Sequence, residues 1–156
     1  MTKKTLAMKV LESRSIAYQV HTYPDDERDA EKIAEYLGIG AERVFKTLVA
    51  VREGRKPLLV MVPANRQLDL KKLAKGIGEK KVRIASHVQA EKITGLQVGG
   101  ISPLALLNRG FDIVLDSSAS AHEAICISAG KKGVNLELDP EKLQMVTAAR
   151  YLDVKT

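Results

Sequence analysis

Val44-Phe45-Lys46-Thr47-Leu48-Val49-Ala50-Val51 is an apolar run broken by one cation, and its reading decides the fold. Taken with a period of two, one face carries Phe45, Thr47, Val49 and Val51, and the other carries Lys46, Leu48 and Ala50. That pattern predicts a strand largely covered on both faces. The turn-rich Arg52-Glu53-Gly54-Arg55-Lys56-Pro57 leads into Leu58-Leu59-Val60-Met61-Val62, which reads as an antiparallel partner ended by Pro63. A lysine in such a strand either snorkels to water or holds its ammonium in a cleft, because desolvating an unpaired ammonium is costly. The residue pattern leaves both readings open, and the second would make Lys46 an anion or carbonyl site.

Upstream of this hairpin, Leu6, Val10 and Leu11 predict a helix over residues 4–14, and alternating Ile16, Tyr18 and Val20 predict a strand. Pro24-Asp25-Asp26 breaks that strand, and the run 27–37 carries Ala30, Ile33, Ala34 and Leu37 before Gly38, a second helix with its C-cap. Downstream, Asp69 caps a helix reaching about residue 76, Val82-Arg83-Ile84 reads as a short strand, and Ser86 caps a helix ending at Thr94-Gly95. Further strands are expected at 112–115, 124–128 and 135–138, a last short helix opens at Asp139-Pro140, and residues 146–152 supply a closing strand. The expected fold class is mixed α/β: one domain over residues 1–156, with a single mixed sheet curled toward a barrel and surrounded by helices.

The composition agrees with one compact core. The chain has 156 residues, 45% hydrophobic and 28% charged, enough apolar content for a buried interior and too little charge for disorder. No apolar stretch approaches the roughly 20 residues a membrane span needs, and Met1-Thr2-Lys3-Lys4-Thr5-Leu6 lacks a signal core, so no membrane association and a cytoplasmic location are expected. The single cysteine, Cys126, excludes an internal disulfide, and between Ile125 and Ile127 it reads as a packing residue. The formal charge of +6 gathers in residues 66–83 and 130–132. Either segment can meet phosphates or stand as an ordinary solvated face. With four Tyr and two Phe, widespread base stacking is excluded and any grip on nucleic acid is mainly electrostatic.

Two loops offer chemistry. Gly99-Gly100-Ile101-Ser102-Pro103 presents backbone N–H groups without bulky side chains, as an oxyanion or phosphate requires, although tight turns use the same residues. Ser128-Ala129-Gly130-Lys131-Lys132-Gly133 repeats the combination of hydroxyl, flexible backbone and cation. Together with Lys46 they can enclose one site. His21, His87 and His122 lack the spacing of a metalloprotease helix, so neither a metal nor a cofactor is expected. Dinucleotide, Walker and Gly-x-Ser-x-Gly patterns are absent, which leaves a nucleophile unassigned.

The ordered set His21-Thr22-Tyr23, Phe45-Lys46-Thr47-Leu48, Leu68 to Lys75, Gly99 to Leu104 and Ser128 to Gly133 resembles the YbaK family. These are Cys-tRNA(Pro) deacylases related to the editing insertion domain of prolyl-tRNA synthetase. The resemblance runs from about residue 6 to residue 153 and implies the synthetase-associated editing fold, acting in trans on mischarged tRNA. It implies Lys46 as the essential lysine and Gly100 as its catalytic backbone partner. It also implies a substrate-binding set of Tyr23, Thr47, Gly99, Ile101, Ser102, Pro103, Ser128 and Gly130. The substrate's own thiol then attacks its ester carbonyl, and the protein needs no base. Ala105, Ala129 and Asn135 depart from the family's usual residues. A deacylase for another small amino acid such as Ala, using water, and a non-catalytic tRNA- or synthetase-binding module remain alternatives. The implied partners are tRNA(Pro) and, at one remove, prolyl-tRNA synthetase, with a monomer expected.

Overall fold

A computed structural model describes residues 3–156. In chain order these residues form α1 (Leu6–Ser13), β1 (Gln19–Thr22), α2 (Ala30–Leu37), β2 (Phe45–Val51), β3 (Leu58–Pro63), α3 (Leu70–Ile77), β4 (Arg83–Ile84), α4 (His87–Thr94), β5 (Asp112–Asp116), β6 (Ile125–Ser128), β7 (Val134–Leu138), α5 (Pro140–Thr147) and β8 (Arg150–Leu152). Short 3-10 segments lie at Ala41–Arg43, Pro103–Arg109 and Ser117–Ala121. None of the described helices is long and apolar enough to cross a membrane.

Side-chain caps set the helix starts. Thr5, Asp29, Asp69, Ser86 and Asp139 each accept a first-turn N–H, satisfying donors that the helix leaves free. The second helix therefore begins at Ala30, after its cap, and not at residue 27. At the other end of the chain α5 runs through Thr147, so the strand expected over 146–152 shrinks to β8. Ala148 ends α5 with φ at 55°, a left-handed conformation that costs a residue with a Cβ. Ala148 is exposed, and Ala148→Gly is expected to raise stability by about 0.5–1 kcal/mol, read as a higher urea midpoint at constant m-value.

The strands form two sheets, which corrects the expected single curled sheet. One is five-stranded in the order β4-β2-β3-β5-β8, and the other is three-stranded in the order β1-β7-β6. In the larger sheet β2 pairs antiparallel with β3 from Phe45 opposite Pro63 to Ala50 opposite Leu58, while β3–β5 and β5–β8 are parallel. The smaller sheet is antiparallel throughout. One bridge, Val44 to Cys126, links them. The barrel does not close because β6 and β7 find their hydrogen-bond partners in each other and in β1.

Alternation along the strands assigns each sheet face its cover. Phe45 and Val49 point into the main core with Leu59, Met61, Ile113 and Leu115, where α1, the 103–109 segment and the smaller sheet pack. Leu48 and Ala50 point the other way, under α3, with Val60, Val62, Leu73 and Val154. On the smaller sheet Ile125, Ile127, Val134, Leu136 and Leu138 enter the main core. The register then places Cys126, Ser128, Asn135 and His21 on the opposite face. That second face is polar, and the site forms against it.

Candidate active site

Strand β2 is central at one end and open at the other. β3 flanks it along Phe45–Ala50, whereas β4 pairs only with Ala50 and Val51. The Val49 carbonyl accepts the Ala85 N–H on the β4 side at 2.9 Å, and the Val44 carbonyl accepts the Ala64 N–H on the β3 side at 2.7 Å. Antiparallel parity therefore turns the N–H and C=O of odd-numbered residues away from β3. At Thr47 they reach an edge with no strand beside it.

A cavity of about 290 Å³ occupies that open edge. Its walls are β2 from Val44 to Leu48, the loop and first turns around Arg28 to Ile33, Tyr23, Val98, Gly99 and Ile101, and Ser128 and Asn135 from the polar face of the smaller sheet. His87, the first residue of α4, completes the lining. Lys46 is half-buried here. Desolvation lowers its pKa from the usual lysine value, while the charges of Glu31 and Asp29 oppose that shift through space. Lys46 is thus only partly withdrawn from water and borders a cleft.

The hydroxyls of the cavity differ in their satisfaction. Thr47 Oγ1 is buried without a hydrogen-bond partner, so a bound ligand could supply what the protein does not. Ser128 Oγ accepts the Gly130 N–H at 3.2 Å. Burial raises the pKa of Tyr23, against the lowering effect of the Gly133 backbone. Asn135 is 4% exposed and borders the cavity.

Of the residues singled out from the sequence, Lys46, Tyr23, Thr47, Gly99, Ile101 and Ser128 line this one cavity. Gly100 and Gly130 line a neighbouring cavity of about 310 Å³ instead. The Gly100 N–H is donated to the Gln97 carbonyl at 2.7 Å, which removes it as a free donor to a substrate. A Cβ on Gly100 would lie 3.0 Å from the Lys132 backbone nitrogen and 3.2 Å from the Lys131 carbonyl carbon. Gly100 is therefore required where two loop backbones touch. Ser102 and Pro103 are buried and border neither cavity, and Ser102 Oγ accepts the Leu104 N–H at 3.3 Å. They hold the loop from behind.

The departures from the family pattern find places too. Ala129 is fully buried and avoids positive φ, which Gly130 at 91° and Gly133 at 85° adopt instead. Ala105 sits where its Cβ would be 3.3 Å from one added to Gly130. His87, Arg28 and Asp29 were not singled out as site residues. In sequence Asp29 and His87 belong to ordinary helix starts, and only the fold turns those starts toward β2.

His21 points elsewhere. Its Nε2 lies 2.7 Å from Glu137, which also accepts from Arg43 at 2.9 Å. With Cys126 these residues bring three ligand-type atoms within 4.8 Å of one another. Burial, and then the Glu137 charge, push the Cys126 thiol up to about 12, so it stays protonated. The carboxylate is already shared between the His21 ring and the Arg43 guanidinium, and the group reads as a polar clamp between the 41–43 segment and the smaller sheet.

Comparisons with known proteins bear on this cavity. Residues 24–146 match the family model described as the aminoacyl-tRNA editing domain. The chain is 38% identical over 156 residues to an Enterococcus faecalis (strain ATCC 700802 / V583) protein named "Putative Cys-tRNA(Pro)/Cys-tRNA(Cys) deacylase EbsC", covering 99% of this chain and 94% of that one. It is 28% identical over 115 residues to proline--tRNA ligase of Thermodesulfovibrio yellowstonii, covering 74% of this chain and 19% of the ligase. A solved structure described as "a putative trans-editing enzyme for prolyl tRNA synthetase" superposes with a TM-score of 0.84 at 24% identity, covering 99% of each chain.

Proposed function

The chain belongs to the aminoacyl-tRNA editing domain family, and from that premise we propose that it is a trans-acting deacylase that clears cysteine mischarged onto tRNA(Pro). The observation that carries this reading is the cavity on the open edge of β2. It couples the half-buried Lys46 ammonium to an unpaired Thr47 hydroxyl and an uncovered strand edge. Among the described residues, no histidine or carboxylate is hydrogen-bonded to a cavity hydroxyl, so a protein nucleophile with its own base is not assembled. Charge stabilisation and orientation are what the site can offer.

In this mechanism the terminal nucleoside and its ester enter between Lys46 and the Gly99–Ile101 loop. The cysteine thiol loses its proton to solvent, and its sulfur forms a bond to the ester carbonyl carbon. The carbon–oxygen bond to the ribose breaks, and the ribose oxygen leaves as a hydroxyl after taking up a proton. Water then opens the cyclic thioester and releases cysteine. Lys46 holds the developing negative charge, and the Thr47 N–H at the open strand edge replaces the committed Gly100 N–H as backbone donor. Substrate identity is read from tRNA(Pro) directly or with the synthetase, and the protein works as a cytoplasmic monomer.

A pair of substrates tests the thiol's role. Cys-tRNA(Pro) should be deacylated more than about 100-fold faster than tRNA(Pro) carrying 2-aminobutyrate, which lacks the thiol but keeps the length, since the intramolecular attack is then lost. Equal rates would replace the thiol with water as nucleophile. Binding of both esters without turnover of either would favour a binding module.

A further inference from the structure

Gly99 stands at the border of the two cavities. It lines the one that holds Lys46, while the next residue, Gly100, lines the neighbour formed with Gly95, Gln97, Gly130, Lys131 and Lys132. Its φ of 92° is left-handed, so the loop turns there without a side chain. Two cationic side chains from separate loops close over the bare position: a Cβ at Gly99 would lie 3.7 Å from Lys132 Cγ and 4.0 Å from Arg28 Cγ. Among the described residues, the ion pairs involve other cations, and Arg28, Lys131 and Lys132 join none of them. Asp25 is the one carboxylate bordering the second cavity.

The stems of two basic side chains that join no ion pair among the described residues meet over a bare glycine, within reach of an anion placed there, and Arg offers a planar fork for phosphate oxygens. That place adjoins the Lys46 cavity through one residue of each loop, Gly99 followed by Gly100 and Ser128 followed two residues on by Gly130. On the deacylase reading, a nucleoside whose ester occupies the first cavity can place its own 5′ linkage at this border. We propose that Arg28 and Lys132, with Lys131 in the lining of the second cavity, bind the phosphodiester immediately 5′ of the terminal nucleoside. This subsite rests on the deacylase reading for its substrate but not for its chemistry, which is that of single-stranded RNA backbone. It gives the basic 130–132 segment a role that the exposed lysines of α3 do not share, since Lys71, Lys72 and Lys75 border neither cavity.

The test uses the full chain, a fluorescent RNA microhelix ending in unacylated CCA, and two cysteinyl esters, one on that microhelix and one on adenosine without phosphate. For Arg28→Ala and Lys132→Ala, microhelix affinity should fall about tenfold at low salt, and the salt slope should shrink by about 0.7 per lost contact. For Lys132→Ala, the loss of kcat/KM should be about tenfold greater on the microhelix ester than on the adenosine ester. Lys132→Glu should deepen the microhelix loss while circular dichroism stays that of the parent. Wild-type affinity and slope in both alanine variants would overturn the proposal, as would equal losses on the two esters. If the wild-type protein cleaves neither ester while the affinity losses appear, the phosphate subsite stands and the deacylase reading falls.

Discussion

Lys46→Ala is expected to lower kcat/KM for deacylation of Cys-tRNA(Pro) by about 10²–10³, the size of effect seen when a preorganised charge-stabilising group is removed from a water-poor site. The loss should fall mainly on kcat if the ammonium acts on charge that develops at the ester. Stability should move the other way. Desolvation holds the Lys46 pKa below its ordinary value of 10.5, so the unfolded chain binds its proton more tightly than the folded chain does. Below the folded pKa the charged lysine therefore costs stability, and that cost is relieved as pH rises from the folded toward the unfolded value. Lys46→Met should accordingly be inactive yet at least as stable as the parent at pH 7. A residue that gains nothing for the fold but is held in a cavity is what a stability–activity trade-off predicts. The same shift gives the pH profile a falling alkaline limb that begins below the usual lysine range and is missing from residual Lys46→Ala activity. A variant that keeps parental kcat/KM would remove Lys46 from the chemistry.

The second large effect is on stability and involves a residue outside the cavity lining. Asp116, at the end of β5, is fully buried and accepts the N–H groups of Val154 at 2.9 Å, Ser118 at 3.1 Å and Lys155 at 3.2 Å. The Lys155 ammonium stands 3.7 Å away. This carboxylate fastens the C-terminal segment, whose Val154 carbonyl accepts the Asp69 N–H at 2.7 Å and so positions the cap of α3. Asp116→Ala leaves buried backbone donors unpaired and opens a hole, and should cost about 3 kcal/mol. Urea unfolding read by circular dichroism measures it. A loss below about 1 kcal/mol would mean that water or a shifted C-terminus replaces the carboxylate. The folded fraction should keep parental deacylation, because neither Asp116 nor Val154 borders the cavity.

The parts of this fold that were legible in the sequence are those decided locally. The β2–β3 hairpin follows from two apolar runs and a turn, and the helices follow from their apolar stripes with Asp69, Ser86 and Asp139 at three of the starts, whereas the Asp29 cap that moves the start of α2 to Ala30 emerges only from the structure. Pairing between distant strands was not legible. Nothing in Ile125-Cys126-Ile127 says that β6 joins β7 and β1 in a separate sheet, so the expected single curled sheet divides in two. The fold gathers Lys46, Tyr23, Thr47, Gly99, Ile101 and Ser128 around one cavity, a convergence of distant segments that only the three-dimensional structure displays. One misreading was of why glycine stands at position 100: the sequence offers a free N–H, whereas the fold commits that N–H to Gln97 and uses the missing side chain to seat the Lys131–Lys132 peptide. His87 and Asn135 escaped notice as site residues because a helix start and a strand residue carry no local mark of the cavity they border. Val20 shows the same limit in the core, since it continues the Ile16 and Tyr18 alternation yet is 43% exposed on the edge strand β1.

The most direct test is the lifetime of the ester bond of Cys-tRNA(Pro) with and without the purified full chain, followed by acid-precipitable label at neutral pH. The account predicts that catalytic amounts of wild-type protein shorten that lifetime, that the same amount of Lys46→Ala does so about 10²–10³-fold less effectively, and that correctly charged Pro-tRNA(Pro) keeps its own. An ester lifetime in the presence of wild-type protein equal to that in buffer alone would contradict it.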